Sequence, residues 1–252
     1  GLLNIQFAIQ NNELFILEAN PRASRTMPFV AKVTGNQIIK AGTLLMLGHS
    51  LEDIKVKTKY LNSTTEKIAV KKAIFPWSRF PAEDTMLGPE MKATGEVLGI
   101  GNNFGTALNK AYAAAGVSIG EKEKGVFVTL SDNEKPNFVE IVKRYVELGF
   151  LIYTTEGTGK YLKINGVDSI NVGRANDKSP TSLTIIEEKL ISLVINTPTY
   201  ANEYTDGWKI RRLSHDSGVA VVSSVREAEA FLEAFLLQEK VLEDMEAIQN
   251  VS

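Results

Sequence analysis

From residue 126 onward, short β-branched runs alternate with amphipathic stretches, and this alternation restricts the fold more than any other feature of the chain. Strand-type runs cover 126–130, 151–153, 169–172, 190–195 and 219–222. Helix-type runs cover 137–148, 159–164, 182–189, 208–215 and 226–248. Strands separated by helices cannot close as tight hairpins. They pair in parallel through crossovers, with helices on both faces of the sheet. The expected class is α/β with a parallel sheet, in which ligands bind outside the carboxyl ends of the strands.

The first part of the chain has a different rhythm. Residues 2–10 and 14–20 alternate like two strands around the turn-forming pair Asn11 and Asn12, which predicts a hairpin. A helix is expected over 37–46, an extended run over 67–75, a Pro- and Gly-punctuated stretch over 76–101 and an alanine-rich helix over 109–115. The Gly- and charge-rich run 120–125 reads as a linker, so the domain boundary is placed between residues 119 and 120. Residues 1–119 carry an excess of basic side chains and residues 120–252 an excess of acidic ones, which points to different partners for the two parts. With a formal net charge of −2, the chain lacks the strong positive field of a nucleic-acid binder. No apolar run approaches the roughly 20 residues of a bilayer span. There is no Cys, and His49 and His215 are the only histidines, so Cys/His zinc chemistry and thiol chemistry are excluded. The missing cysteines fit a reducing compartment, and the expected location is cytoplasmic.

Glu18 and Asn20 lie two apart on a predicted strand and therefore point the same way. A hard cation such as Mg²⁺ takes oxygen ligands from carboxylates and amides, and Arg22 and Arg25 just beyond can neutralise phosphoryl oxygens. Gln6 joins this face only if the hairpin turn holds an odd number of residues. A two-residue Asn11–Asn12 turn pairs Gln6 with Leu17 and sends Gln6 and Glu18 to opposite faces. The same residues also read as a polar hairpin edge followed by two solvated arginines.

The run Asn4, Ile5, Gln6, Phe7 and Ala8, followed by Leu17, Glu18, Ala19, Asn20, Pro21, Arg22, Ala23, Ser24, Arg25 and Thr26, resembles the end of the carboxyl-terminal ATP-grasp unit of the carbamoyl phosphate synthetase large subunit. A second stretch, Leu87, Gly88, Pro89, Glu90, Met91, Lys92, Ala93, Thr94, Gly95 and Glu96, resembles another signature of that family. The resemblance implies that Gln6, Glu18 and Asn20 hold Mg²⁺ or Mn²⁺ and that Arg22 and Arg25 act as catalytic phosphate contacts. It further implies ATP-dependent phosphorylation of carbamate in the parent enzyme, which serves arginine or pyrimidine biosynthesis. The implied partners are the rest of the large subunit and a glutamine amidotransferase small subunit, in an oligomeric enzyme. The chain begins at Gly1 in a strand-like stretch without an initiator methionine, and an ATP-grasp site also needs central and amino-terminal lobes. The expectation is a piece of a longer polypeptide that forms no carbamoyl phosphate by itself.

Polar residues recur at the predicted strand ends of the second part. Thr129 closes one strand, and Lys135 follows it. Thr154, Thr155, Glu156, Gly157, Thr158 and Gly159 form a hydroxyl-rich passage into a helix. Arg174, Asn196, Thr197, Ser223 and Ser224 stand after later strands. Such groups suit a phosphorylated metabolite, and they equally suit helix capping. This region resembles the regulatory domain that follows the ATP-grasp unit in the same family, a Rossmann-like fold shared with methylglyoxal synthase. By that resemblance Thr129, Lys135, Thr155, Thr158, Arg174, Asn196, Thr197 and Thr199 line a pocket for a nucleotide effector, and Arg211 and Arg212 are similar to the family's paired arginines. The fold expected for the whole chain is thus a truncated ATP-grasp segment followed by a methylglyoxal-synthase-type domain.

Two alternatives stay open. A self-contained lyase of the methylglyoxal synthase kind needs a carboxylate base in a Gly-Gly-Asp setting and a supporting histidine, whereas the corresponding loop reads Arg174, Ala175, Asn176, Asp177, Lys178. A ligand-free assembly domain needs neither. Gly99, Gly101 and Gly105 imitate a dinucleotide fingerprint with the third glycine one residue late, and they read as a loop into a helix.

Overall fold

The computed structural model of the chain describes residues 1–54, 66–80, 83–86, 91, 93–117, 124–178, 180–197 and 205–237. The expected linker residues 120–123, most of the second signature (Leu87, Gly88, Pro89, Glu90 and Lys92), Thr199 and the end of the terminal helix lie outside the described residues. The chain divides into two compact units, with residues 1–68 in the first and residues 69–244 in the second.

The first unit begins with strands β1 (Asn4–Gln10) and β2 (Glu13–Asn20), paired antiparallel, followed by helices α1 (Met27–Thr34) and α2 (Ile38–Met46). The hairpin turn is the two-residue Asn11–Asn12, both at positive φ (50° and 63°), the geometry whose twist suits a tight hairpin and that Asn tolerates. Gln10 faces Glu13 and Phe7 faces Ile16, but Gln6 faces Glu18: Leu17 is an extra residue in a β-bulge. One hairpin face carries Ile5, Phe7, Ile9, Leu14 and Ile16; the other carries Asn4, Gln6, Glu18 and Asn20 at its open end. The helix α1, absent from the sequence reading, starts with Pro28 in its first turn and stops at Gly35 in the left-handed conformation. Gly42 of α2 is buried against Leu2, where a Cβ would sit 2.5 Å from the Leu2 Cγ.

The second unit opens with β3 (Ile68–Ile74) and β4 (Gly95–Gly101), which form a two-stranded sheet, and helix α3 (Phe104–Ala114). The helix expected from residue 109 starts at Phe104 because the Asn103 side chain accepts a hydrogen bond from the Thr106 amide at 2.8 Å. The expected glycine-rich loop is strand β4 itself. A Cβ at Gly99 would lie 2.0 Å from the Ala107 carbonyl oxygen, so this glycine lets α3 lie directly on β4.

The regular alternation then unfolds as β5 (Gly125–Thr129), α4 (Lys135–Glu147), β6 (Ile152–Thr155), α5 (Glu156–Ile164), β7 (Ile170–Val172), α6 (Ser182–Glu187), β8 (Ile191–Asn196), α7 (Asp206–Asp216), β9 (Ala220–Val222) and α8 (Val225–Leu236). The five strands form one parallel sheet in the order β7-β6-β5-β8-β9. The expected parallel sheet is present. Its period-two side chains build two cores: Val126, Val128 and Ile195 meet α4, α5 and α8 on one face, and Phe127 and Val194 meet α6 and α7 on the other. Each fully buried side chain of this size contributes about 1.5–3 kcal/mol relative to exposure. Leu108 of α3 joins the first core, and the Asn109 side chain donates to the Ala234 carbonyl at 2.5 Å, so α3 packs with the parallel sheet in the second unit.

Candidate functional site

The order β7-β6-β5-β8-β9 reverses direction at β5, where the chain leaves toward β6 on one side and later returns as β8 on the other. Flanking crossovers diverge at that point and leave a crevice beyond the strand ends. A cleft of about 730 Å³ lies there. Thr129, Lys135, Thr155, Thr158 and Arg174, five of the eight residues expected at an effector site, line it.

Each is held by its own element. Thr129 ends β5, and Thr155 ends β6 at the amino terminus of α5, their hydroxyls 3.5 Å apart. Thr158 is buried in the first turn of α5 and accepts a hydrogen bond from the Leu130 amide at 3.1 Å, which fixes the chain leaving β5. Lys135 begins α4 with its side chain mostly buried and its ammonium 2.5 Å from Asp132. Arg174 follows β7, where its amide donates to Asp177 at 2.7 Å. Lys160 and Glu156, one helical turn apart on α5, pair at 2.6 Å on the cleft's edge, and the hydrogen bond from Lys160 holds the Glu156 carboxyl below its ordinary range. Three cationic side chains from three segments thus face a space of ligand size among hydroxyls and carboxylates.

Of the other three expected effector residues, Thr199 lies outside the described residues, and Asn196 and Thr197 sit next to the cleft without lining it. Asn196, beside Thr129 in register, is buried with its Oδ1 accepting from the Arg211 Nη1 at 2.6 Å. Thr197 is buried too; its hydroxyl accepts from the Ser131 amide at 2.8 Å and ties the ends of β5 and β8 together. Asp132, Asn171, Gly173, Asp206 and Gly207 line the cleft without having been singled out by sequence. Only the position of Asp206 and Gly207 at the start of a predicted helix offered a cue.

In the first unit the bulge at Leu17 decides the second candidate site. The two-residue turn alone sets Gln6 against Leu17. The bulge adds one residue, so Gln6 lies opposite Glu18 and on the same face as Asn20. Asn20 donates its Nδ2 to the Glu18 Oε1. Arg22 follows in the bend, its amide bonded to the Asn20 carbonyl at 2.8 Å and its guanidinium turned onto the Ala23 carbonyl at 3.1 Å; Arg25 is exposed just before α1. One carboxylate and two amides on one face supply the oxygen donors that a hard divalent cation takes, and the single carboxylate leaves half of the cation's charge to be balanced by another anion. Among the described residues, no group of three or more His, Asp or Glu side chains could hold a metal.

The two sites can be set beside known proteins. Residues 1–54 match the family described as carbamoyl-phosphate synthase L chain, ATP binding domain, and residues 137–223 match the MGS-like domain family. Over 97% of its length the chain is 40% identical to the carbamoyl phosphate synthase large chain, C-terminal section, of Aquifex aeolicus, of which it covers 48%. It belongs to the carbamoyl phosphate synthase large-chain family. The Synechocystis sp. large chain is 39% identical over 99% of this chain, which covers 23% of it. The Methanocaldococcus jannaschii large chain, C-terminal section, is 38% identical over 93%, with 39% of that protein covered. The chain spans less than half the length of these relatives. Most of the cleft's lining falls within the residues that match the MGS-like domain, with Thr129, Leu130, Asp132 and Lys135 preceding them, and the hairpin lies in the segment matching the ATP binding domain. Among the described residues, no helix is long and apolar enough to cross a membrane.

Proposed function

We propose that this chain contributes two parts to a carbamoyl phosphate synthase: a metal- and phosphate-facing hairpin of the site where ATP phosphorylates carbamate, and a regulatory cleft for a phosphorylated effector. The observation that carries the reading is the convergence of Thr129, Lys135, Thr155, Thr158 and Arg174 on one cleft at the topological switch point. Lys135 and Arg174 bring charge to a phosphate from two sides, while the Thr129 and Thr155 hydroxyls provide hydrogen bonds. Thr158 positions the loop after β5.

On the hairpin, Gln6, Glu18 and Asn20 would hold Mg²⁺ or Mn²⁺, which when bound neutralises phosphoryl oxygens. Rotation of the Asn20 amide exchanges the hydrogen it now gives Glu18 for a ligand oxygen. Arg22 and Arg25 would stabilise the remaining phosphate charge. Synthesis serves arginine or pyrimidine production in the cytoplasm, and the partners are the rest of the large subunit and the glutamine amidotransferase small subunit. The 252 residues alone are expected to bind effector without forming carbamoyl phosphate. A lyase reading is disfavoured because neither His49 nor His215 lines the cleft.

Titration calorimetry with UMP, IMP and inorganic phosphate tests the cleft. Saturable binding of a nucleotide is expected, and removing a charge-assisted bond by Lys135→Ala or Arg174→Ala should weaken it about 10-fold or more. A folded protein that binds none of the three would favour the ligand-free assembly domain instead.

A further inference from the structure

Helix α7 touches two places that the sequence keeps far apart. At its amino-terminal end Asp206, Gly207 and Ile210 line the cleft. One turn further on, the helix grips the segment before β4 at three points. The Arg211 Nε donates to Asp84 at 2.9 Å and its Nη2 donates to the other Asp84 oxygen, a two-pronged ion pair across 127 positions. The Arg212 Nη1 donates to the Phe80 carbonyl at 2.8 Å. His215 packs edge-on to Trp77, ring centres 6.1 Å apart. The Arg211 guanidinium is buried, and its remaining prong, Nη1, reaches the Asn196 Oδ1 at the end of β8. A Cβ placed on Gly207 would lie 3.1 Å from that same Nη1, so the cleft wall at Gly207 rests directly on the guanidinium.

This arrangement leaves little slack. A buried guanidinium shared by a carboxylate and an amide, under the backbone of the cleft wall, cannot move without loosening one of its bonds. The helix is a rigid body of three turns, so a ligand that displaces its first turn displaces the groups gripping Trp77, Phe80 and Asp84. Burial works to raise the pKa of Asp84, but the hydrogen bonds and charge of Arg211 outweigh it and hold the carboxyl below its ordinary range, so the joint is ionised at neutral pH.

We propose that α7 is the mechanical link between the cleft and the segment leading into β4, and that Asp84 and Arg211 are the positioning residues that transmit ligand occupancy along it. The proposal rests on the reading of the cleft as an effector site and adds the route by which occupancy leaves it. It requires the ion pair for transmission, not for binding.

Hydrogen exchange on the 252-residue chain, with and without saturating UMP, IMP or inorganic phosphate, tests this together with calorimetry. In the wild type, binding should slow exchange in residues 83–86 and 95–101 by about fivefold or more. In Asp84→Asn the slowing should fall below about twofold while the dissociation constant stays within about threefold of wild type, and Asp84→Glu should restore part of it. Arg211→Lys keeps the buried charge but cannot bridge Asp84 and Asn196 together; it should uncouple in the same way, and it supplies the test if Asp84→Asn does not fold. Unchanged slowing in a folded Asp84→Asn or Arg211→Lys protein would overturn the link and leave the effector cleft standing. Failure of the wild type to bind any of the three probes would overturn the cleft, and the link with it.

Discussion

The contact between β4 and α3 makes a quantitative prediction for Gly99→Ala. The new methyl carbon would stand 2.0 Å from the Ala107 carbonyl oxygen and 2.5 Å from the Ala111 amide nitrogen. Carbon contacts normally sit near 3.5 Å, so strand and helix must part by more than about 1 Å. Both obstructing atoms are backbone, and no rotamer change relieves them. Ala107 and Ala111 are fully buried, and α3 is anchored through Leu108 in the core and through the Asn109 bond to the Ala234 carbonyl, so a shift of α3 is felt in α8. Overpacking of this kind costs about 1–3 kcal/mol and the rigid geometry places Gly99→Ala at the upper end. The chain's two tryptophans, Trp77 and Trp208, both belong to the 69–244 unit, so tryptophan fluorescence during urea unfolding reports on that unit. With a slope of about 2 kcal/mol per molar urea, the midpoint should fall by about 1–1.5 M. Gly157→Ala is the control. Its Cβ meets nothing nearer than the Lys135 ammonium at 3.7 Å, and alanine in α5 should leave stability unchanged or raise it by up to about 1 kcal/mol. A Gly99→Ala midpoint corresponding to less than about 0.5 kcal/mol of destabilisation would show that β4 and α3 do not approach this closely in solution.

Two further outcomes use the same assay. Tyr145 is buried, and its hydroxyl donates to the Ala228 carbonyl at 2.7 Å, joining α4 to α8; Tyr145→Phe should cost about 0.5–1.5 kcal/mol by removing that bond, and no loss would mean that the bond adds nothing to stability in solution. The depressed pKa of Asp84 gives an acid limb: the unfolded carboxyl binds a proton near pH 3.9 while the folded one still resists, so its contribution is present above about pH 4 and is lost as pH falls through the folded value. Midpoints compared at pH 5 and pH 3 should therefore drop more for wild type than for Asp84→Asn, and equal drops would refute the assignment.

The periodic part of the chain was legible because its causes are local. Alternating runs such as 126–130 and 190–195 became β5 and β8, and the amphipathic stretches between them became the covering helices, since one side chain in two, or three to four in seven, must face the core. The same locality placed Glu18 with Asn20. The helix start at Phe104 was missed because Gly105 and the alanine run give little periodic contrast, although Asn103 stood as its cap. Asn196 was legible as a polar residue at a strand end, but not as the partner of Arg211.

What the sequence determined by itself was the α/β class, the parallel sheet and the strand ends where polar groups gather, together with the family resemblance carried by the hairpin. The tertiary structure alone decided which of those groups meet. Gln6 reaches Glu18 through one inserted residue, Leu17, against the register that the turn dictates. Asp84 finds Arg211 across 127 positions, and Gly99 admits a helix that begins beyond it in the chain. Secondary-structure periodicity follows from neighbours within a few residues, whereas register, ion-pair partners and close backbone approach are set by how whole elements dock.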